Sequence, residues 1–335
     1  MADAGSARLL VDTVTPGHMI PPMADNAVEV RDLTKAFRDV VAVAGISFEV
    51  KRGEVFSLLG PNGAGKSTAI SIISGLLRPD SGDALVMGHS ILKESMAARR
   101  SLGVVPQEIA LYSDMSAREN LVFWGRMYGL SGGELSRRVD EMLSAVGLVE
   151  RQKGRVGTFS GGMKRRVNIA AALLHRPAVV VMDEPTVGID PQSRRHILDH
   201  VKELNRQGMS VLYTTHYMEE AEELSQRIAI MDKGRVIACG TRDELVRMVG
   251  EQARIDLTVT GEPGKAAEVW RTVAGVSQTT VAQGRVEVLA ADSDAVVPRL
   301  FEAAAQSDFR ISSVDIREPN LETVFLSLTG RALRD

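Results

Sequence analysis

Cysteine is nearly missing from this chain: Cys239 is the one example in 335 residues. An internal disulfide is therefore excluded, which suits a reducing cytoplasm. Cys239 follows an apolar run and reads as a small buried hydrophobe rather than a reactive thiol. An excess of one charge is missing too. Lys and Arg number 40 against 43 Asp and Glu, giving a net charge of −3, so no global basic field argues for nucleic acid. No apolar run approaches the length needed to span a bilayer, and any membrane role must come through a partner. Sustained heptads are absent, which argues against a coiled-coil insert. The segment from Met1 to about Asp25 carries Pro16, Gly17, Pro21 and Pro22 without the cationic start and apolar core of a secretory signal. It reads as a flexible tail, with Met19 and Met23 leaving an alternative translation start open.

What is present is ample material for a core. Apolar residues make up 44% and charged residues 25%, enough for one large α/β core plus a smaller domain. The charges of both signs are mixed along the helical stretches, as solvated faces require.

The stretch Gly60-Pro61-Asn62-Gly63-Ala64-Gly65-Lys66-Ser67-Thr68 has the spacing of a loop that cradles phosphates before opening a helix. Apolar Glu54 to Leu59 before it reads as a buried strand, and Thr68 to Ser74 after it as an amphipathic helix. Its glycines permit tight turning, and successive N–H groups can then face phosphate oxygens at a helix N-terminus. Lys66 reaches the β- and γ-phosphates in such a loop, and the Ser67 hydroxyl ligates Mg²⁺.

Elsewhere Val28 to Leu33 and Gly45 to Val50 alternate as strands, whereas about Ile91 to Leu148 is mostly helical with a break at Gly129 to Gly133. Ala178 to Met182 and Ser210 to Thr214 are strand-like, followed by helices over about Gln192 to Gln207 and Met218 to Ser225. That order implies a mainly parallel sheet. After about Met248 the pattern becomes β-α-β-β-α-β, the order of a ferredoxin-like domain, with a closing helix over Leu321 to Leu326. No chemistry-bearing cluster occurs there, so it reads as a regulatory or assembly module, the alternative being an irregular extension of the main domain.

Val179 to Glu184 ends a strand with two adjacent acids whose side chains point opposite ways. Asp183 can then serve Mg²⁺ while Glu184 orients or deprotonates water. Ser160-Gly161-Gly162 opens a helix and offers a second anion site. One nucleotide cannot obviously use both sites of one chain, which makes a dimer that completes each site across its interface attractive. His196 and His200 lie one turn apart, but no third metal ligand accompanies them, and they read as exposed polar residues of a helix.

Gly60 to Thr68, Ser160 to Lys164, Val179 to Glu184 and His216, in that order and spacing, resemble the ATP-binding subunit of an ABC transporter over about Ala27 to Met248. The resemblance implies a phosphate-loop NTPase fold with a mainly parallel core sheet, an antiparallel β subdomain and a helical subdomain at about 91–175. It implies a tail over 1–26, an ATP-binding domain over 27–248 and an α+β accessory domain over 249–335. It further implies that Gly60, Asn62, Gly63, Gly65, Lys66, Ser67 and Thr68 bind ATP and that Ser160, Gly161 and Gly162 bind the γ-phosphate held by a second subunit, in a homodimer. Met163 stands where the family most often has Gln. Phe37 matches the aromatic that stacks on adenine, and Gln107 the glutamine that senses Mg²⁺, with Ser67 and Asp183 as its other ligands. His216 matches the switch histidine that contacts the γ-phosphate and orients Glu184, and Asp190 the loop that crosses the interface.

Two further stretches, Met163 to Arg166 and Glu318 to Arg331, resemble ATPase subunits of ABC-2-type exporters, including the daunorubicin-resistance group. The implied function is ATP hydrolysis powering export of a drug, antibiotic or lipid-like compound through a separate membrane-spanning permease, at the cytoplasmic face of the cell membrane. The rivals are a soluble ABC ATPase acting on ribosomes or DNA, and a nucleotide-dependent regulator.

Overall fold

The computed structural model describes residues 25–249, 252–282, 284–317 and 320–330. All but the last two residues of the expected tail lie outside that range, with Met19, Met23, Glu318, Pro319 and Arg331. β1 (Asn26–Phe37) and β2 (Val40–Lys51) form an antiparallel hairpin. β3 (Val55–Leu59) is buried at every position, as a strand covered on both faces must be. The glycine-rich loop then opens α1 (Lys66–Ile73). β4 (Ser81–Val86) and β5 (His89–Ser90) complete a four-stranded antiparallel sheet in the order β2-β1-β4-β5.

Next come α2 (Ser95–Arg100), β6 (Leu102–Val105), α3 (Ala117–Met127), α4 (Gly132–Ala145) and α5 (Gly161–Ala172). A capping box of Ser116 and Glu119 starts α3, satisfying N–H groups that its first turn cannot use internally. The core resumes with β7 (Val179–Asp183), α6 (Pro191–Arg206), β8 (Ser210–Thr215), α7 (Met218–Leu224), β9 (Arg227–Asp232), β10 (Arg235–Gly240) and α8 (Arg242–Met248). The six-stranded sheet runs β10-β9-β3-β8-β7-β6. All its neighbours are parallel except β9 and β10.

Two expectations need correction here. Leu102–Val105 lies inside the stretch expected to be mostly helical, yet it pairs in parallel with β7 at the sheet edge. Four residues are too few for a period to stand out between helices. Cys239 is exposed rather than buried. On β10 the alternation of the strand turns Ala238 inward and Cys239 outward.

The C-terminal part contains β11 (Ala253–Thr260), α9 (Pro263–Arg271), β12 (Val276–Ala282), β13 (Arg285–Ala290), α10 (Ser293–Ala305) and β14 (Arg310–Arg317). Its sheet order is β12-β13-β11-β14, antiparallel throughout, the split β-α-β arrangement that the element order predicts. Ile255, Leu257, Val286 and Val288 pack against Trp270 and Leu300 of the two helices. The Trp270 indole donates to the Leu300 carbonyl at 3.0 Å, so its polar atom is satisfied inside the core. α11 (Leu321–Thr329) leaves this sheet. Its Leu321, Val324 and Phe325 are fully buried with Leu59, Ile228, Ile230 and Leu245, which joins it to the nucleotide half.

Candidate nucleotide site

Gly65 is the N-cap of α1 with φ 102°, a conformation open to glycine at little cost. A Cβ there would stand 2.1 Å from the Ala42 carbonyl oxygen, so the loop can lie this close to β2 only without a side chain. Lys66, 3% exposed, donates to the Gly60 carbonyl at 2.6 Å and the Pro61 carbonyl at 3.0 Å. Its ammonium also pairs with Glu184 Oε1 at 2.9 Å.

A cavity of about 680 Å³ lies over this loop, within the size range of small-molecule sites. Asn62, Gly63, Gly65, Lys66, Ser67 and Thr68 form one wall, and Gln107, Glu184 and His216 close on it from three other segments. Glu184 follows β7 with φ 43°. For a residue with a side chain this costs on the order of 1 kcal/mol or more, and such strain persists where surrounding contacts enforce it. Here its N–H donates to Thr214 Oγ1 at 2.9 Å, while Oε2 meets His216 Nδ1 at 3.1 Å. Asp183 Oδ1 accepts from the same Thr214 hydroxyl at 2.6 Å. One acid is thus turned into the sheet and its neighbour into the cavity.

Gly60 and Asp183 are not on the cavity wall: the Gly60 carbonyl holds Lys66, and Asp183 stands behind Glu184. Phe37 is 47% exposed at the end of β1, with the Lys35 ammonium 5.6 Å from its ring centre. It too is off the wall, whereas Val40, Val41, Ala42 and Lys233 are on it. Sequence reading missed these four, because valines at a hairpin look like core and a turn lysine looks like solvated surface.

Ser160, Gly161, Gly162 and Asp190 form a separate cluster, away from the cavity of their own chain. Ser160 caps α5, accepting from Met163 N at 3.2 Å. Asp190 caps α6, accepting from Ser193 N at 2.9 Å, and this bond holds its carboxyl below the usual range. Ser160, Gly161 and Asp190 are exposed. Gly162 is buried, and a Cβ on it would come within 2.0 Å of Ser193 Oγ and 2.3 Å of Ser193 Cβ. The starts of α5 and α6 are therefore in direct contact.

Two buried charges were missed altogether. Arg165 of α5, 3% exposed, donates to the backbone carbonyls of Pro106 and Gln107. Burial lowers its affinity for the proton. Glu220 of α7 is 1% exposed, and burial, reinforced by this carboxylate, pushes the Tyr213 hydroxyl well above its usual pKa. His196 is exposed as expected, but His200 is half-buried between helices, with its Nε2 shielded from solvent; no group of three His, Cys, Asp or Glu suited to a metal occurs among the described residues.

The family described as ABC transporter matches residues 43–187. The chain is 51% identical to the linearmycin resistance ATP-binding protein LnrL of Bacillus subtilis, over 92% of this chain and all of that protein. It is 39% identical to the doxorubicin resistance ATP-binding protein DrrA of Mycobacterium tuberculosis, over 91% and 94% of the two chains. Among solved structures it resembles a dimeric ATP-binding cassette in a post-hydrolysis state bound to ADP and Pi. That match has TM-score 0.59 and 28% identity, and covers 64% of this chain and 98% of the other.

Proposed function

This chain belongs to the ABC transporter family, and from that premise we propose that two copies work together beneath a separate membrane-spanning permease. The chain is an ATPase of the ABC-2 exporter branch, and its hydrolysis powers export. The names of the relatives, resistance to linearmycin and to doxorubicin, favour an antibiotic or a lipid-like compound as cargo.

The observation that carries the mechanism is Glu184, held between the Lys66 ammonium and the His216 ring at the cavity wall. In this reading Lys66 and the loop N–H groups bind the β- and γ-phosphates. Glu184 orients and deprotonates the attacking water, and His216 fixes the carboxylate and meets the γ-phosphate. Val40 and Val41, both more than half exposed, give the nucleoside an apolar wall beside Phe37. The groups that would hold Mg²⁺ are the Ser67 hydroxyl and the Gln107 amide on the cavity wall, with the Asp183 carboxylate, behind Glu184, acting through the ion's bound water. This hard, oxygen-only set fits an ion that keeps waters and phosphate oxygens in its shell. Bound there, Mg²⁺ would neutralise charge developing on the phosphates.

The outward cluster of Ser160, Gly161, Gly162 and Asp190 supports the dimer, since these groups are exposed or adjacent and lie off their own cavity. No described helix is long and apolar enough to cross a membrane, and in this reading the chain sits at the cytoplasmic face through its permease. For that partner the chain offers an apolar cleft of about 350 Å³, lined by Leu76, Val104, Pro106, Trp124 and Tyr128 beside Gln107. Trp124 Nε1 and Asn168 Nδ2 lack partners there, which suits a short amphipathic permease helix bringing acceptors. The DNA-repair alternative needs a long coiled coil, and the longest described helix has 16 residues.

The test is Glu184→Gln. Phosphate release should fall at least about 100-fold, while an ATP-bound dimer accumulates on size exclusion. Full turnover by that variant overturns the base assignment.

A further inference from the structure

Glu220 collects four donors from three separate stretches of the chain. Thr186 Oγ1 and Arg194 Nε reach its Oε1, each at 2.6 Å. Tyr213 OH and Thr215 Oγ1 reach its Oε2, each at 2.9 Å. A carboxylate accepts about four hydrogen bonds, so this one is saturated. Burying a charge at 1% exposure is costly unless its partners are held in place. The node therefore fixes its donors relative to one another.

Those donors surround the hydrolytic pair. Thr186 lies two residues after Glu184, and Thr215 immediately precedes His216. The Thr215 hydroxyl that donates to Glu220 also accepts from Tyr217 N at 2.9 Å, which closes the corner that presents His216. Arg194 sits one turn into α6, and its N–H donates to the Asp190 carbonyl at 2.8 Å. The Arg194 guanidinium lies 4.3 Å from the Tyr217 ring centre, and that ring is 4.2 Å from the imidazole of His216. A continuous path thus runs from the Asp190 turn through Arg194 to the histidine.

We propose that Glu220, with Arg194, is a positioning residue for hydrolysis: it locks the His216 corner to the helix that begins at Asp190 and keeps the imidazole directed at Glu184. The state of the Asp190 turn, assigned above to the contact with the second subunit, is thereby passed to the hydrolytic pair. The inference rests on the roles given above to His216 and Glu184.

The test compares Glu220→Gln, Arg194→Gln and Tyr217→Leu, each alone and combined with His216→Ala, in full-length protein. Glu220→Gln and Arg194→Gln should each lower kcat about tenfold or more, with KM for ATP changed less than about twofold. Neither should lower kcat further once His216 is Ala, because each acts through that ring. Tyr217→Leu should give a smaller loss of the same kind. It also carries the test if thermal melting finds Glu220→Gln unfolded. Wild-type kcat in folded variants, a raised KM at unchanged kcat, or a full additional loss on the His216→Ala background would each overturn the inference. Full turnover by His216→Ala alone overturns instead the functional reading of the histidine.

Discussion

The nucleotide half and the C-terminal sheet both bury carboxylates, and they do so in different company. Asp256 on β11 is 4% exposed, as Glu184 is. Its partners are Arg254 at 2.7 Å on its own strand and Arg317 at 3.7 Å on the adjacent one, both with heads in solvent. Arg254 goes on to Glu287 at 2.6 Å. That is a ladder between neighbouring strands, of the kind that stabilises a sheet face modestly. Glu184 and Glu220 instead gather groups from loop, helix and strand together, Lys66, Thr214 and His216 for the first and Thr186, Arg194, Tyr213 and Thr215 for the second, beside or behind a cavity. Burial alone therefore does not mark chemistry in this protein. What sets Glu184 apart from Asp256 is its place on the wall of a cavity.

That contrast can be broken or sharpened by four changes. Phe325→Ala removes a fully buried ring from the cluster shared by α11 and the nucleotide half, and it should cost about 3–5 kcal/mol of stability. Denaturant melts would read this, with KM for ATP unchanged in the folded fraction. A changed KM would mean that the C-terminal helix belongs to the chemistry after all. Gly162→Ala pushes a methyl into Ser193 and should cost about 1–3 kcal/mol, together with turnover. Adding Ser193→Gly should restore the melting temperature, and a failure to do so would place the strain elsewhere.

The third change concerns pH. Burial lowers the pKa of His175 and His200 below the ordinary value, so both stay neutral in the fold and take up a proton more readily once unfolded. Stability is then full above about pH 6.5 and declines as pH falls below it. His200→Asn should flatten the slope of melting temperature between about pH 6.5 and 5. The smallest effect belongs to the ladder: Arg254→Ala should cost less than about 1 kcal/mol and leave turnover alone, and a loss of turnover would abolish the distinction between the two halves.

Much of the proposed site was legible because its pieces are contiguous. The phosphate loop carries its own glycines, and the two acids at the end of β7 were expected to point apart, although the left-handed turn at Glu184 just past the strand, rather than strand alternation, parts them. The β-α-β-β-α-β order was also legible, since each element there is long enough to show a period. β4, β5, β6, β9 and β10 were passed over: β5 and β6 have only two and four residues, and the others follow turns without a distinctive pattern. Arg165 and Glu220 were illegible for a different reason. Each is one charge in a helix where charge is ordinary, and it acquires meaning only when Gln107 or His216 arrives from elsewhere.

The seating of α11 bears on the order in which the protein can be made. Leu59 stands immediately before the phosphate loop, and the side chains that help cover it, Val324 and Phe325, lie more than two hundred residues later. Contacts of such separation form late and slowly. A nascent chain halted before residue 320 would leave Ile228, Ile230 and Leu245 without their cover, an apolar patch of the kind that chaperones and proteases recognise. The ribosome must therefore release nearly all of the chain before the strand that carries the phosphate loop is sealed.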